Sequence, residues 1–586
     1  MLRLFKNFTK REWGMIAISV AFILGQVWLD LRLPDYMSDI TLLVQTPGSA
    51  MADILAAGGK MLLCALGSLA SALVVGFFAA RVAARLSRRL RERVYDRVQS
   101  FSMEELSGFS TASLITRSTN DITQIEMIVA MGLQVMVKAP IMAVMAVAKI
   151  QAKGCWQWST LTGCAVVLLI TTIVCIMLYA VPRFKKIQVL TDNLNRVTRE
   201  NLTGLRVVRA YNAEDYQERK FEKSNNELTD NNLQANRAMQ VMNPVMTIIM
   251  NGMTLGIYWL GAYIINASAM ADKLTVFSNM VVFSSYSMQV IMAFMMLTMI
   301  FIMLPRAQVS AKRINEVLET VPTITDGDVT ETPSDLRGEV EFRNVSFHYP
   351  DAEDDVLHDI SFTAKRGETV AFIGSTGSGK STIVSLATRL YDASEGEVLI
   401  DGVNVKSYTQ EALHNKLGYV PQKAVLFAGT VASNVAYGDN GRPAASLGDI
   451  TGAVAVAQSA DFVASLEGGF EGAVAQGGSN FSGGQKQRLA IARAVCRRPE
   501  IYIFDDSFSA LDYKTDRALR AALKRETGEV TSLIVAQRIG TIRDADRIVV
   551  IDDGAVAGIG THDELMKTCE VYREIAYSQL SKEELE

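Results

Sequence analysis

Apolar positions along this 586-residue chain follow two regimes. In the first half they form runs too long and too uniform for a helix with one wet face. In the second half, short apolar strands alternate with amphipathic helices. A helix needs about 20 apolar residues to cross a hydrocarbon core. Six runs meet that need: Trp13–Asp30, Ala57–Ala84, Met127–Ile150, Gln157–Val181, Met242–Ala267 and Thr275–Leu304. Several are longer than required, which predicts helices continuing beyond the membrane. Basic residues orient them. Lys6, Lys10 and Arg11 precede the first run, and Arg85, Arg88, Arg89, Arg91, Arg93 and Arg97 follow the second. Residues 31–56 hold Arg32 as their only basic residue, beside Asp35, Asp39 and Asp53. The N-terminus is therefore expected in the cytoplasm, and an even number of spans returns the chain there. No small-residue cleavage site follows the first run, which reads as a retained span.

Two polar, helix-compatible connections, 85–126 and 183–240, lie on the cytoplasmic side. They predict helix pairs turning over tips near Ser110–Ser118 and Ala210–Asp215. Such a tip is either a docking element that transmits motion or an exposed hairpin. Lys138, Asp30 and Asp35 are ionisable residues in or beside spans, and they are read either as satisfied structural pairs or as substrate contacts. The last run carries Met280, Met288, Met292, Met295, Met296, Met299 and Met303, an adaptable apolar wall or ordinary packing. The expected architecture is a membrane α-helical bundle at 1–310, a linker at 311–337 and an α/β P-loop domain at 338–586.

Composition narrows the class. Hydrophobic residues make up 49% and charged residues 20% of the chain, with a mean hydropathy of +0.18. A net charge of −4 and a pI near 5.8 give no basic signature of a nucleic-acid binder. The six cysteines are scattered, Cys155 among them, without the spacing of a metal site.

The chemistry concentrates in Gly374-Ser375-Thr376-Gly377-Ser378-Gly379-Lys380-Ser381-Thr382. An apolar strand, Thr369–Ile373, precedes it and a helical pattern follows. That is the context of a P-loop: glycines let backbone N–H groups face phosphates, the lysine reaches β- and γ-phosphates, and the serine hydroxyl can hold Mg²⁺. Phe481-Ser482-Gly483-Gly484-Gln485 and Ile501-Tyr-Ile-Phe-Asp505 stand further on.

Together these motifs resemble the nucleotide-binding domain of ATP-binding cassette (ABC) transporters, over about 338–580. With six spans before it, the chain resembles an exporter-type half-transporter. The resemblance implies ATP and Mg²⁺ as ligands, Tyr349 on the adenine, and Gln422 near Mg²⁺ and the attacking water. Ser381, Gln422 and Asp505 would hold the metal. It further implies that Ser482, Gly483, Gly484, Gln485 and Asp512 act on the ATP of a second subunit.

Two positions depart from the family. Asp506 follows the buried strand where the family has Glu, and Gln537 stands where the family has His. Neither His348, His358, His414 nor His562 occupies that motif. The binding motifs are intact while both hydrolysis positions are altered. The chain is therefore expected to hold ATP at a degenerate site in a heterodimer whose partner carries Glu and His. The alternatives are a slow homodimer and an ATP-gated or regulatory protein. The implied setting is a bacterial inner membrane, and the implied cargo is an amphipathic, drug-like or lipid-like molecule.

Overall fold

The structure, a computed structural model, describes residues 4, 6, 8–46, 48–152, 156–270, 272–331, 337–350, 352, 354–526 and 528–579, with backbone alone at 298–302 and 305. Cys155, the Met299 side chain and linker residues Thr332–Asp335 lie outside this description. The chain divides into two compact units. One comprises residues up to Val98 with Thr111–Glu319; the other comprises Gln99–Ser110 with residues from Thr320 onward.

The first unit is built on six long helices: α1 Lys10–Gln45, α2 Met51–Gln99, α3 Thr111–Ala152, α4 Trp156–Thr203, α5 Glu214–Ala267 and α6 Lys273–Glu319. All six carry a stretch long and apolar enough to cross a membrane, and each contains one of the expected runs. Their inner faces close on Ile23, Val27, Leu31, Met142, Trp158, Met246, Ile257 and Phe283. Their outer faces leave large apolar side chains uncovered, Leu63 at 70% for example. Such a surface fits lipid and not water. Polar ties hold the cytoplasmic ends. Thr9 caps α1 through a capping box with Glu12, and the buried Glu12 carboxylate accepts two bonds from the Arg89 guanidinium of α2, at 2.8 and 3.1 Å.

The first tip differs from the expectation. Ser110–Ser118 does not form the turn: it contributes the start of α3, including part of a π-helical turn at Arg117–Asp121. The tip is the short helix Met103–Gly108. The local reason is a capping box in which Ser102 and Glu105 satisfy each other's backbone N–H groups, with Phe101 stacked on Phe109 at 5.9 Å. Glu105 also accepts the Thr323 N–H at 2.8 Å, which ties this segment to the linker of its own unit. The second tip falls at Gly204–Ala213, with Asn212 in the left-handed region. It overlaps the expected Ala210–Asp215.

The second unit contains an antiparallel sheet of β1 Val340–Phe347, β2 Leu357–Ala364, β4 Glu395–Ile400 and β5 Val403–Asn404, ordered β2-β1-β4-β5. A six-stranded sheet uses β3 Thr369–Gly374, β6 Leu417–Val420, β9 Ile501–Asp505, β10 Thr531–Val535, β11 Arg547–Asp552 and β12 Ala555–Gly560. Its order is β12-β11-β3-β10-β9-β6. All of its pairings are parallel except that of β12. A two-stranded ribbon joins β7 Gly429–Thr430 and β8 Ala473–Val474. One core lies around Phe342, Phe362, Ile383 and Ile503. A second, around Leu426, Val454, Leu489 and Phe508, supports the helical part that carries the 481–485 motif.

A buried ion network closes the entry to this unit. The Asp401 carboxylate is inaccessible; it accepts the Gly338 N–H at 2.6 Å and the Lys416 ammonium at 2.7 Å, and Lys416 also bonds Glu500 at 3.0 Å. Removing one partner leaves a buried donor unanswered. Asp401→Ala is expected to destabilise this unit by about 3 kcal/mol, read as a lowered unfolding temperature of the full chain in detergent.

Candidate functional site

The parallel sheet gathers the chemistry. Along its carboxyl edge, neighbouring strands β3, β10, β9 and β6 deliver the P-loop, Gln537, the Asp505–Asp506 pair and Gln422 in turn. Open α/β sheets bind ligands at that edge, where strand ends and helix N-termini meet.

After β3 the chain wraps into the helix α7 Lys380–Ala387. Gly374 and Gly379 are indispensable to that wrap. A Cβ on Gly374 would lie 1.9 Å from the Ile551 carbonyl oxygen, and one on Gly379 would lie 2.5 Å from Leu357 with φ at +94°. Ser375, Thr376 and Gly377 form the exposed crest of the loop. Lys380 folds under it and donates from Nζ to Gly374 O at 3.1 Å, Ser375 O at 2.5 Å and Ser378 Oγ at 3.1 Å. Burial pushes its ammonium below the ordinary lysine range, against the pull of Asp506 and Asp505.

Ser381, the next residue, donates its hydroxyl to Asp505 Oδ1 at 2.8 Å. Burial raises the Asp505 carboxyl and the Asp506 charge raises it further, while the Ser381 hydroxyl and Lys380 act in the opposite sense. A hydroxyl touching a desolvated carboxylate, beside a second carboxylate, is a donor set suited to a hard divalent cation. The residues present therefore fit Mg²⁺.

Asp506 adopts a left-handed backbone, φ +44°, anchored by its N–H on Val535 O at 3.0 Å. This turns its carboxylate towards the strand ends on either side. Its Oδ2 accepts the Gln537 side-chain amide at 2.8 Å and the Gln422 amide at 3.2 Å. The two residues that depart from the family pattern thus touch each other. Two residues not singled out from the sequence fix the loop beneath Gln422. Buried Gln487 donates to Pro421 O at 3.1 Å, and Ser507 donates to Val420 O at 2.9 Å. The available signal was a glutamine on the apolar face of its helix.

Tyr349 donates to or accepts from Thr382 Oγ1 at 3.0 Å. Its ring stands edge-on to Phe347 at 5.0 Å and Tyr391 at 5.3 Å, so its position is set. Ser482 caps the helix α8 Gly483–Cys496 through a capping box with Gln485. Gly483 at the first turn is open, and Gly484 packs close to Ala510 O, where a Cβ would approach to 3.2 Å. Asp512 accepts the Thr515 N–H at 3.0 Å, a bond that lowers its carboxyl below the ordinary range.

Residues 16–315 match the ABC transporter transmembrane region, and residues 357–509 match the ABC transporter family. The chain belongs to the ABC transporter family. An uncharacterized ABC transporter ATP-binding protein of Mycobacterium bovis is 41% identical over 89% of this chain and 87% of its own length. An ATP-dependent lipid A-core flippase of Pseudomonas putida is 34% identical over 65% of this chain and 62% of its own. A bacterial Atm1-family ABC exporter solved with ATP bound matches with a TM-score of 0.79 and 26% identity, covering 97% of this chain and all of that one. This ABC transporter is an exporter half-transporter with membrane and ATP-binding domains in one chain. It is an integral membrane protein whose ATP-binding domain is cytoplasmic.

A charge-assisted hydrogen bond from a lysine ammonium to a phosphate is worth about 1.5–3 kcal/mol. Lys380→Ala is therefore expected to weaken ATP binding to this chain about 10- to 100-fold, measured by titration with a fluorescent ATP analogue in detergent.

Proposed function

We propose that this chain is one subunit of a heterodimeric ABC exporter for a lipid-like amphipath in a bacterial inner membrane, holding ATP at a degenerate site of its own. The observation that carries this reading is the pairing of Asp506 with Gln537 where the family has Glu and His. In this reading Tyr349 stacks on the adenine, the P-loop N–H groups and Lys380 hold the phosphates, and Ser381, Asp505 and Gln422 hold Mg²⁺. The ion, when bound, offsets charge on the phosphate oxygens.

Asp506 is one methylene shorter than Glu, so its carboxylate stands about 1.5 Å further back. A displacement of about 1 Å can cost roughly a hundredfold in rate. Gln537 donates a hydrogen bond but brings no imidazolium charge. Nucleotide is thus bound and turned over slowly here. Ser482, Gly483, Gly484, Gln485 and Asp512 serve the partner's ATP, where Glu and His complete hydrolysis. Closure of the two ATP-binding domains is carried to the spans through the cytoplasmic tips. The flippase names among the relatives support the lipid-like cargo.

One observation favours a slow homodimer instead. Asp506 remains positioned by two amides, and its other oxygen accepts no hydrogen bond among the described residues. ATPase activity in lipid separates the readings. The heterodimer requires negligible turnover by this chain alone and robust turnover in a one-to-one complex with the product of a neighbouring gene. Robust turnover alone would establish the homodimer.

Because Gln537 holds Asp506, restoring one position without the other breaks the pair. Asp506→Glu with Gln537→His is expected to raise hydrolysis at this site by tenfold or more, up to roughly a hundredfold, measured in the assembled transporter. Asp506→Glu alone should gain less. A double variant with no gain would rule out catalytic loss as the reason for slow turnover.

A further inference from the structure

Among the described residues, one arginine of α1 stands without a carboxylate partner where α1, α3 and α6 meet. Asp30 and Asp35 of α1 each face a lysine of α3: Lys138 Nζ lies 3.2 Å from Asp30 Oδ2, and Lys149 Nζ lies 2.7 Å from Asp35 Oδ2. Their remaining oxygens are also occupied. Ser68 donates to Asp30 Oδ1 at 2.5 Å, and the Tyr286 hydroxyl of α6 donates to Asp35 Oδ1 at 2.6 Å. These four charges cancel. Arg32, between the two aspartates, is a third cation, so the cluster of Asp30, Asp35, Lys138, Lys149 and Arg32 carries three positive and two negative charges.

Arg32 has no ion-pair partner among the described residues, and its Nε is buried without a hydrogen bond. Its guanidinium lies over the Trp28 ring at 5.0 Å and within electrostatic reach of the Tyr286 hydroxyl. A second unanswered group meets α1 at Asp30, two residues before Arg32 in the chain. Gln289 of α6 spends its amide N–H on the Asp30 carbonyl at 3.4 Å and leaves Oε1 buried without a donor. One spare cation and one spare acceptor, on rigid ion-paired helices, call for a ligand with an anion and a hydroxyl.

We propose that this cluster binds the headgroup of the transported amphipath, a lipid phosphate bearing hydroxyl groups, with Arg32 on the phosphate and Gln289 on a hydroxyl. The assignment rests on the export of a lipid-like cargo proposed above and names its polar end. The Asp30–Lys138 and Asp35–Lys149 pairs set the position of α1 against α3. Arg32 stands outside both pairs.

The test is equilibrium binding of radiolabelled dioctanoyl phosphatidylglycerol to the full chain in detergent, without nucleotide. Dioctanoylglycerol, lacking the phosphate, and glycerol phosphate, lacking the tails, serve as competitors. The proposal expects saturable binding, competition by dioctanoylglycerol at least about tenfold weaker, and little competition by glycerol phosphate. Arg32→Gln should weaken binding about tenfold or more, and Arg32→Lys should retain most of it. Gln289→Leu should erase any preference for phosphatidylglycerol over phosphatidic acid. Equal binding of charged and neutral lipids, or unchanged affinity in Arg32→Gln with an unaltered melting temperature, would overturn the site. Equal competition by glycerol phosphate would overturn the lipid assignment. Intact, Arg32-dependent binding without lipid-stimulated ATPase, in the one-to-one complex as well as in the chain alone, would uphold the site and count against the export reading.

Discussion

Two carboxylates at the end of one buried strand are the constraint around which the ATP-binding domain is arranged. Every residue of β9 is buried, and Asp505 and Asp506 at its end are each only 7% exposed. Like charges in so dry a place are expensive unless something answers them. The P-loop supplies Lys380 and Ser381 from one side. Gln537 and Gln422 supply amides from the flanking strand ends. The strand order places those answering groups within reach, because β10 lies between β3 and β9 while β6 lies on the far side of β9.

The same principle recurs in the membrane half with a different solution. There the carboxylates of α1 are met by lysines from α3 and by hydroxyls from α2 and α6. In the cytoplasmic half, the carboxylates are answered by the P-loop and by side-chain amides. In the spans, aspartate is neutralised within the protein, and Arg32 has no ion-pair partner among the described residues.

The parts legible in the sequence are those governed by backbone need. The P-loop glycines, the apolar strand ending in Asp505 and the six apolar runs each follow from local spacing, and each appears where spacing places it. The parts that were not legible depend on partners distant along the chain. Lys149, 114 residues from Asp35, could not be paired with it beforehand. The bond between Gln537 and Asp506 is invisible until β9 and β10 are side by side. The first tip was displaced because a capping box at Ser102 starts a helix ahead of the polar stretch that resembled a turn. Sequence showed two departures from the family at separate positions; the fold shows them in one hydrogen bond.

The cap on α8 has a consequence of its own. In that capping box the Ser482 Oγ only accepts, from the Gln485 N–H, and Gln485 Oε1 is taken by the Ser482 N–H. The hydroxyl proton of Ser482 enters neither bond, and the side chain is exposed. The helix start is thus complete before anything docks on it, and it presents a hydroxyl proton free to turn towards an acceptor. An oxyanion arriving from another molecule would meet a finished surface, with no internal bond to break and no loop to order. The entropic toll of closing two such chains over nucleotide would fall elsewhere in the assembly, not on this motif.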